Sequence, residues 1–178
     1  MERLSRVFVA VGLPPAHRSA VAGWMDDAHL PGRVPPPENL HVTIRWFGDL
    51  DAVTFDRVVA GIDEAPKPSP FVMRIAGVGA FPRPQMATVV WFRPVAEQLV
   101  GLRDAVDDAA DRAGLAAEDR PFVPHLTVSR LRPPEDVSGV VASSSGIDLR
   151  VPVDRVAVLR SLVGGGPPRY ELLESIPL

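Results

Sequence analysis

Residues 39 to 49 read NLHVTIRWFGD, and far downstream PHLTVSR repeats the central arrangement: His41 stands two places before Thr43, and His125 two places before Thr127. Histidine and threonine are both scarce. The only other histidines are His17 and His29, and the only other threonines are Thr54 and Thr88. Two such units arising by chance is a roughly 0.3 % event. The repetition also constrains the fold, because the elements around the motifs repeat with it. The motifs are offset by 125 − 41 = 84, and the preceding apolar runs, VFVAVGL from Val7 and VVWF from Val89, by 89 − 7 = 82. The strands expected after the motifs, starting at Phe71 and Asp148, are offset by 148 − 71 = 77, a loop absorbing the difference.

Each half therefore reads β-α-β(His-x-Thr)-α-β. Helical spacing of apolar residues predicts helices over 16–28, 52–64 and 95–113, with a short one over 136–143. Strands are predicted over 7–13, 40–48, 71–81, 87–92, 125–131 and 169–178, and at least one over 148–162. Alternating elements of this kind also suit a doubly wound parallel sheet. The first strand, however, exits into LPPAH rather than a glycine-rich phosphate loop. Internal twofold symmetry fits better: an α+β, pseudo-twofold bilobal fold, with mainly antiparallel sheets lining a central cleft and helices outside. Residues 1–178 form one domain in this reading, its duplicated halves approximately 1–84 and 85–178.

Residues i and i+2 of a strand point to one face. His41 and Thr43 thus share a face, with Val42, Ile44 and Trp46 on the other; His125 and Thr127 share a face opposite Leu126 and Val128. Two imidazoles opposed across a groove suit displacement at phosphorus. A neutral ring takes a proton from the attacking oxygen and a protonated ring gives one to the leaving oxygen, both states being accessible near neutrality. Threonine hydroxyls can donate to the non-bridging oxygens, where charge grows. The reaction best served is hydrolysis of a strained cyclic phosphodiester, with no metal or other cofactor. A lone His-x-Thr is more often a half-buried histidine beside a strand former; two copies at matching places reverse that balance. His17 and His29, at the ends of a predicted helix, read as surface or capping residues.

Composition removes other classes. With no cysteine there is no disulfide framework, thiolate metal site or Cys nucleophile, and a cytoplasmic location is the default. A formal charge of −3 argues against coating a long polyanion but permits one phosphate in a pocket. No apolar run approaches the ~20 residues of a membrane helix. Two alternatives remain: a non-catalytic nucleotide-binding module, and a metal site built on His41, His125 and a carboxylate such as Asp49.

The motifs with their flanks resemble the 2H phosphoesterases, and within them the bacterial and archaeal RNA 2′,3′-cyclic phosphodiesterase (2′-5′ RNA ligase-like) branch. The resemblance runs through RVFVAVGLP, PENLHVTIRWFGDL, GVGAFPRP, PFVPHLTVSR, VAVLRS and PRYELLESIPL. It implies His41 as proton donor to the leaving oxygen, His125 as proton acceptor from water, and Thr43, Thr127 and Arg130 as phosphate contacts. It further implies opening of RNA or oligonucleotide cyclic ends to 2′-phosphates and minor 2′-5′ joining; separately, the chain is expected to act as a monomer, with no membrane and no obligate protein partner. Strict alternation conflicts with it at one point, placing Arg45 on the His41 face and Arg130 opposite His125; a bulge before Arg130 would remove the conflict. Arg45 is kept as a residue of the cleft lip, against the alternative of a salt-bridged strand arginine. Phe8, Phe47, Phe81, Trp91 and Tyr170 are candidates for base stacking, though strand aromatics more often serve a core. Asp49 is a candidate acceptor for a catalytic histidine, and the GGGPP turn has only a superficial look of a phosphate cradle.

Overall fold

The computed structural model describes residues 3–143 and 147–178. Among these residues eight strands carry the fold: β1 (Arg3–Gly12), β2 (His41–Asp51), β3 (Phe71–Phe81), β4 (Ala87–Val95), β5 (Leu126–Glu135), β6 (Asp148–Val153), β7 (Arg155–Leu162) and β8 (Arg169–Pro177). Four helices intervene: α1 (Pro15–Ala28), α2 (Ala52–Glu64), α3 (Gln98–Arg112) and α4 (Ser138–Ser143). Local chemistry sets their ends. Pro15 opens α1 at a position whose N–H needs no partner. Asp51 caps α2, accepting from the Thr54 amide and hydroxyl at 2.9 Å each.

The strands form one sheet in the order β6-β3-β4-β5-β2-β1-β7-β8, with antiparallel pairings throughout the described residues. β2 and β5, the two motif strands, meet at the single pair Val42↔Leu126. The sheet is thus two four-stranded lobes hinged on the motifs. Val7 to Val11 of β1 are all buried, as a strand covered on both faces requires. Helices cross between halves: Trp24 of α1 packs edge-on at 4.6 Å against Phe92 of β4, while α3 lies behind β2. α2 and α3 approach closely at Gly61, where a β-carbon would sit 3.0 Å from that of Ala109. Among the described residues no helix is long and apolar enough to cross a membrane.

The α+β class and the paired halves are as expected, but the third offset is corrected. The segment 148–162 is two strands parted at Asp154, and β6 lies beside β3 at the sheet edge. The strand matching β3 is β7: β3 joins β4, the first strand of the second half, as β7 joins β1, the first strand of the first. Its offset, 155 − 71 = 84, equals that of the motifs. Each half therefore sends its third strand into the other lobe. Spacing along the chain locates a strand but not its neighbour, which is why the sequence pointed to Asp148.

Candidate active site

The contact of β2 with β5 brings the two motifs together. Val42 and Leu126, fully buried, turn their flanking residues to the opposite face. Carrying the antiparallel register one residue each way sets His41 opposite Thr127 and Thr43 opposite His125. Directly opposed β-carbons lie about 4.5–5.5 Å apart and diagonal ones about 7–8 Å. The two imidazoles thus hold one diagonal of a small quadrilateral, and the two hydroxyls hold the other. All four residues line one cleft, with Arg130 and Tyr170 beside them.

Paired bulges complete the cleft. Opposite β2, Ala10↔Thr43 is followed by Val9↔Arg45, so β2 spends two residues where β1 spends one. Opposite β5, Trp91↔Thr127 is followed by Val90↔Ser129 in the same way. The extra residues, Ile44 and Val128, are 84 apart. Each bulge reverses the alternation beyond it. Arg130 therefore joins the His125 face, resolving the conflict as the sequence allowed, and Trp46 joins the His41 face, which strict alternation had denied it. Trp46 lines the cleft and is 43 % exposed.

Arg45 correspondingly is not a lip residue. Its side chain is 5 % exposed, donates to Asp107 Oδ1 and to the Ala116 carbonyl at 2.6 Å each, and lies over the Phe47 ring. This is the salt-bridged alternative. Arg103 of α3 donates to the Ile44 carbonyl at 2.9 Å, supplying the bulged residue with a partner. Nothing in the motif itself pointed to Arg103.

The histidines are held alike. His41 Nδ1 donates to the Asn39 carbonyl at 2.7 Å and His125 Nδ1 to the Val123 carbonyl at 2.8 Å. A carbonyl accepts only, so each neutral ring carries its proton on Nδ1 and leaves Nε2 as the basic nitrogen. His41 Nε2 accepts from the Thr43 hydroxyl at 3.0 Å. Asp49 takes no part; its carboxylate accepts from the Arg6 amide. Phe8 and Tyr170 wall the His41 ring at centroid distances of 5.2 Å each, and Phe81 stands edge-on to His125 at 5.2 Å, backed by Trp91. Four of the five candidate aromatics thus surround the imidazoles, while Phe47 serves Arg45. The carboxamide of Asn39 donates to the Pro168 carbonyl at 2.6 Å, tying the GGGPP turn to β2 as a wall of the cleft. His17 and His29 lie apart, bonded to the carbonyls of Arg150 and Asp27.

Removal from water lowers the pKa of His41 below the usual histidine value; the Asn39 carbonyl opposes the shift, and the positive charges of Arg130 and His125 deepen it. Between that lowered value and about 6.5 the unfolded chain binds a proton here that the folded chain refuses, so stability rises with pH across the interval. On acidification below about 6.5 the denaturant midpoint of the wild type should therefore fall relative to that of His41→Gln. Parallel curves for the two proteins would contradict the lowered pKa.

Two imidazole–hydroxyl pairs on pseudosymmetric strands, meeting over one cleft with the guanidinium of Arg130 at its edge, define a 2H phosphoesterase. Comparison with known proteins agrees. The chain belongs to the 2′-5′ RNA ligase superfamily, whose sequence pattern matches residues 13–165. Among its relatives, the RNA 2′,3′-cyclic phosphodiesterase of Methanothermobacter thermautotrophicus is 28% identical over 95% of this chain and 96% of that one. The protein of the same name from Archaeoglobus fulgidus is 32% identical over 71% of this chain and 73% of its own. Escherichia coli LigT in its apo form superposes with a TM-score of 0.79 at 25% identity, covering 100% of this chain and 99% of that one. A Thermus thermophilus structure gives 0.79 at 26% identity over 97% of each.

Proposed function

We propose that this chain hydrolyses the 2′,3′-cyclic phosphate ends of RNA or oligonucleotides to 2′-phosphates by paired-histidine acid–base catalysis. Water attacks phosphorus and loses its proton to His125 Nε2. The bond from phosphorus to the 3′ oxygen breaks, and that oxygen takes its proton from His41 Nε2. Thr43, Thr127 and Arg130 hold the non-bridging oxygens. The observation that carries this reading is the shared cleft: two rings, each with Nδ1–H fixed by a carbonyl, line one cavity together with both motif threonines and Arg130.

The lowered pKa of His41 favours a second reading in which the two roles are exchanged, because burial favours the neutral ring. A bound phosphodiester reverses the balance, its negative charge stabilising the imidazolium beside it. The donor role is retained on that ground. Joining of RNA ends is a side activity, disfavoured in water at ~55 M. The catalytic unit is residues 1–178 acting as one domain, a reading supported by the exchange of β3 and β7 between lobes, and it works as a cytoplasmic monomer.

A short RNA ending in a cyclic phosphate, incubated with the protein in EDTA, should be converted to a product bearing a 2′-phosphate and a free 3′ hydroxyl. Saturable binding without turnover would instead identify a nucleotide-binding module, and turnover abolished by EDTA would identify a metal-dependent site.

A further inference from the structure

A second cationic groove runs on from the cleft. Arg33 and Arg130 line both, and Arg132 extends the groove away from the histidines. The arrangement is built rather than incidental. Arg33 donates its amide to the Arg130 carbonyl at 2.8 Å and accepts from the Arg130 amide at 3.0 Å. Residues exchanging both bonds in an antiparallel pair stand directly opposite, side chains on the same face. Gly32 allows the approach: its φ is +83°, and a β-carbon there would lie 2.5 Å from the Arg130 carbonyl oxygen. The Ser129 hydroxyl, donating to the Pro31 carbonyl at 2.5 Å, adds a third tie. Arg132 follows Arg130 by two residues, with the buried Leu131 between them, and lines the same groove.

Three guanidinium groups are thus held together at a cost, since like charges directly opposed in a sheet repel. No carboxylate lines the groove, and none of the three has an ion-pair partner among the described residues. The ion-paired arginines, Arg45, Arg74, Arg103, Arg155 and Arg160, all lie elsewhere. The chain as a whole is acidic, with a formal charge of −3, so this concentration of positive charge is local. One phosphoryl group between the histidines engages Arg130 and leaves the other two guanidinium groups unsatisfied. A second anion at the spacing of successive backbone phosphates satisfies them, and forked donors suit phosphate oxygens.

We propose that Arg33 and Arg132 hold the phosphodiester immediately 5′ of the reacting nucleotide, making the preferred substrate an oligonucleotide rather than a cyclic mononucleotide. This rests on the function proposed above and adds the direction in which the chain leaves the cleft. The test compares kcat/KM for a 2′,3′-cyclic mononucleotide and a trinucleotide ending in the same cyclic nucleotide, using wild type, Arg132→Ala and Arg132→Lys. In the wild type the trinucleotide should be preferred about tenfold or more. Arg132→Ala should remove most of that preference while leaving the mononucleotide unchanged, and Arg132→Lys should restore part of it. The salt dependence of trinucleotide turnover should weaken by about 0.7 in log–log slope in Arg132→Ala. Equal turnover of the two substrates by the wild type, or an equal loss on both in Arg132→Ala, overturns the proposal. Calorimetric binding of mono- and trinucleotides ending in 2′-phosphate reads the groove separately. Length discrimination there without turnover of either cyclic substrate leaves the groove standing and sinks only the catalytic reading.

Discussion

Alanine at His125 is expected to lower kcat on a cyclic-phosphate RNA end by about 10²–10⁴-fold, and alanine at His41 by a similar factor, because each change removes one positioned proton transfer. The double replacement should be little worse than either single one, since two groups that act in the same step do not contribute additively. Rapid-quench kinetics at saturating substrate checks both statements. The assignment of roles needs a sharper probe. In a substrate whose 3′ oxygen is replaced by sulfur, the leaving thiolate needs no proton. If His41 is the donor, His41→Ala should recover most of its lost rate on this substrate and His125→Ala should recover none. The opposite pattern would exchange the roles, in keeping with the lowered pKa of the free His41 ring. Full activity of either alanine variant on the natural phosphate would remove the paired-histidine mechanism altogether.

The sequence made the motif strands legible because alternation is a local rule: Val42 and Leu126, facing inward, oblige their neighbours to face out. It made the duplication legible for the same reason, since helix and strand periodicities repeat at matching offsets. What it hid were long-range pairings and local departures from regular geometry. Nothing in the segment 148–162 marks β7, rather than β6, as the counterpart of β3, because pairing partners are chosen by the other lobe. The bulges at Ile44 and Val128 are likewise invisible as composition. The resemblance that pointed to Arg130 already required one, and the 84-residue offset carries the same requirement from Val128 to Ile44. A bulge at Ile44 places Arg45 in the interior and Trp46 in the cleft. The groove of Arg33, Arg130 and Arg132 depends on a loop meeting β5 across nearly a hundred residues, so no local pattern announces it.

The buried charges behind β2 should govern stability more than any other polar feature of the described residues. Arg45 and Arg103 share Asp107, at 2.6 Å each, and Arg103 also reaches Glu118 at 3.3 Å, so two cations face two carboxylates. Replacing Arg103 by Met preserves length and apolar packing but leaves the carboxylates one cation short, and strips the Ile44 carbonyl of its donor. Loss of one member of a buried pair costs about 3–5 kcal/mol. Asp107 and Glu118 are 36% and 33% exposed, so water screens what remains and the expected loss is near the lower end, about 3 kcal/mol. For a chain of this length that is a fall in Tm of about 6–12 °C. The exposed pair Arg74–Asp148 provides the contrast: Arg74→Met should leave Tm nearly unchanged, although its contact is just as short, at 2.7 Å. The same Arg103 variant should raise KM for a cyclic-phosphate end, because the bulge that turns Trp46 into the cleft loses its support from α3. Similar melting curves for Arg103→Met and Arg74→Met would show that burial gives this network no special weight. A normal KM beside a lowered Tm would show that the bulge is fixed by the β1 ladder alone.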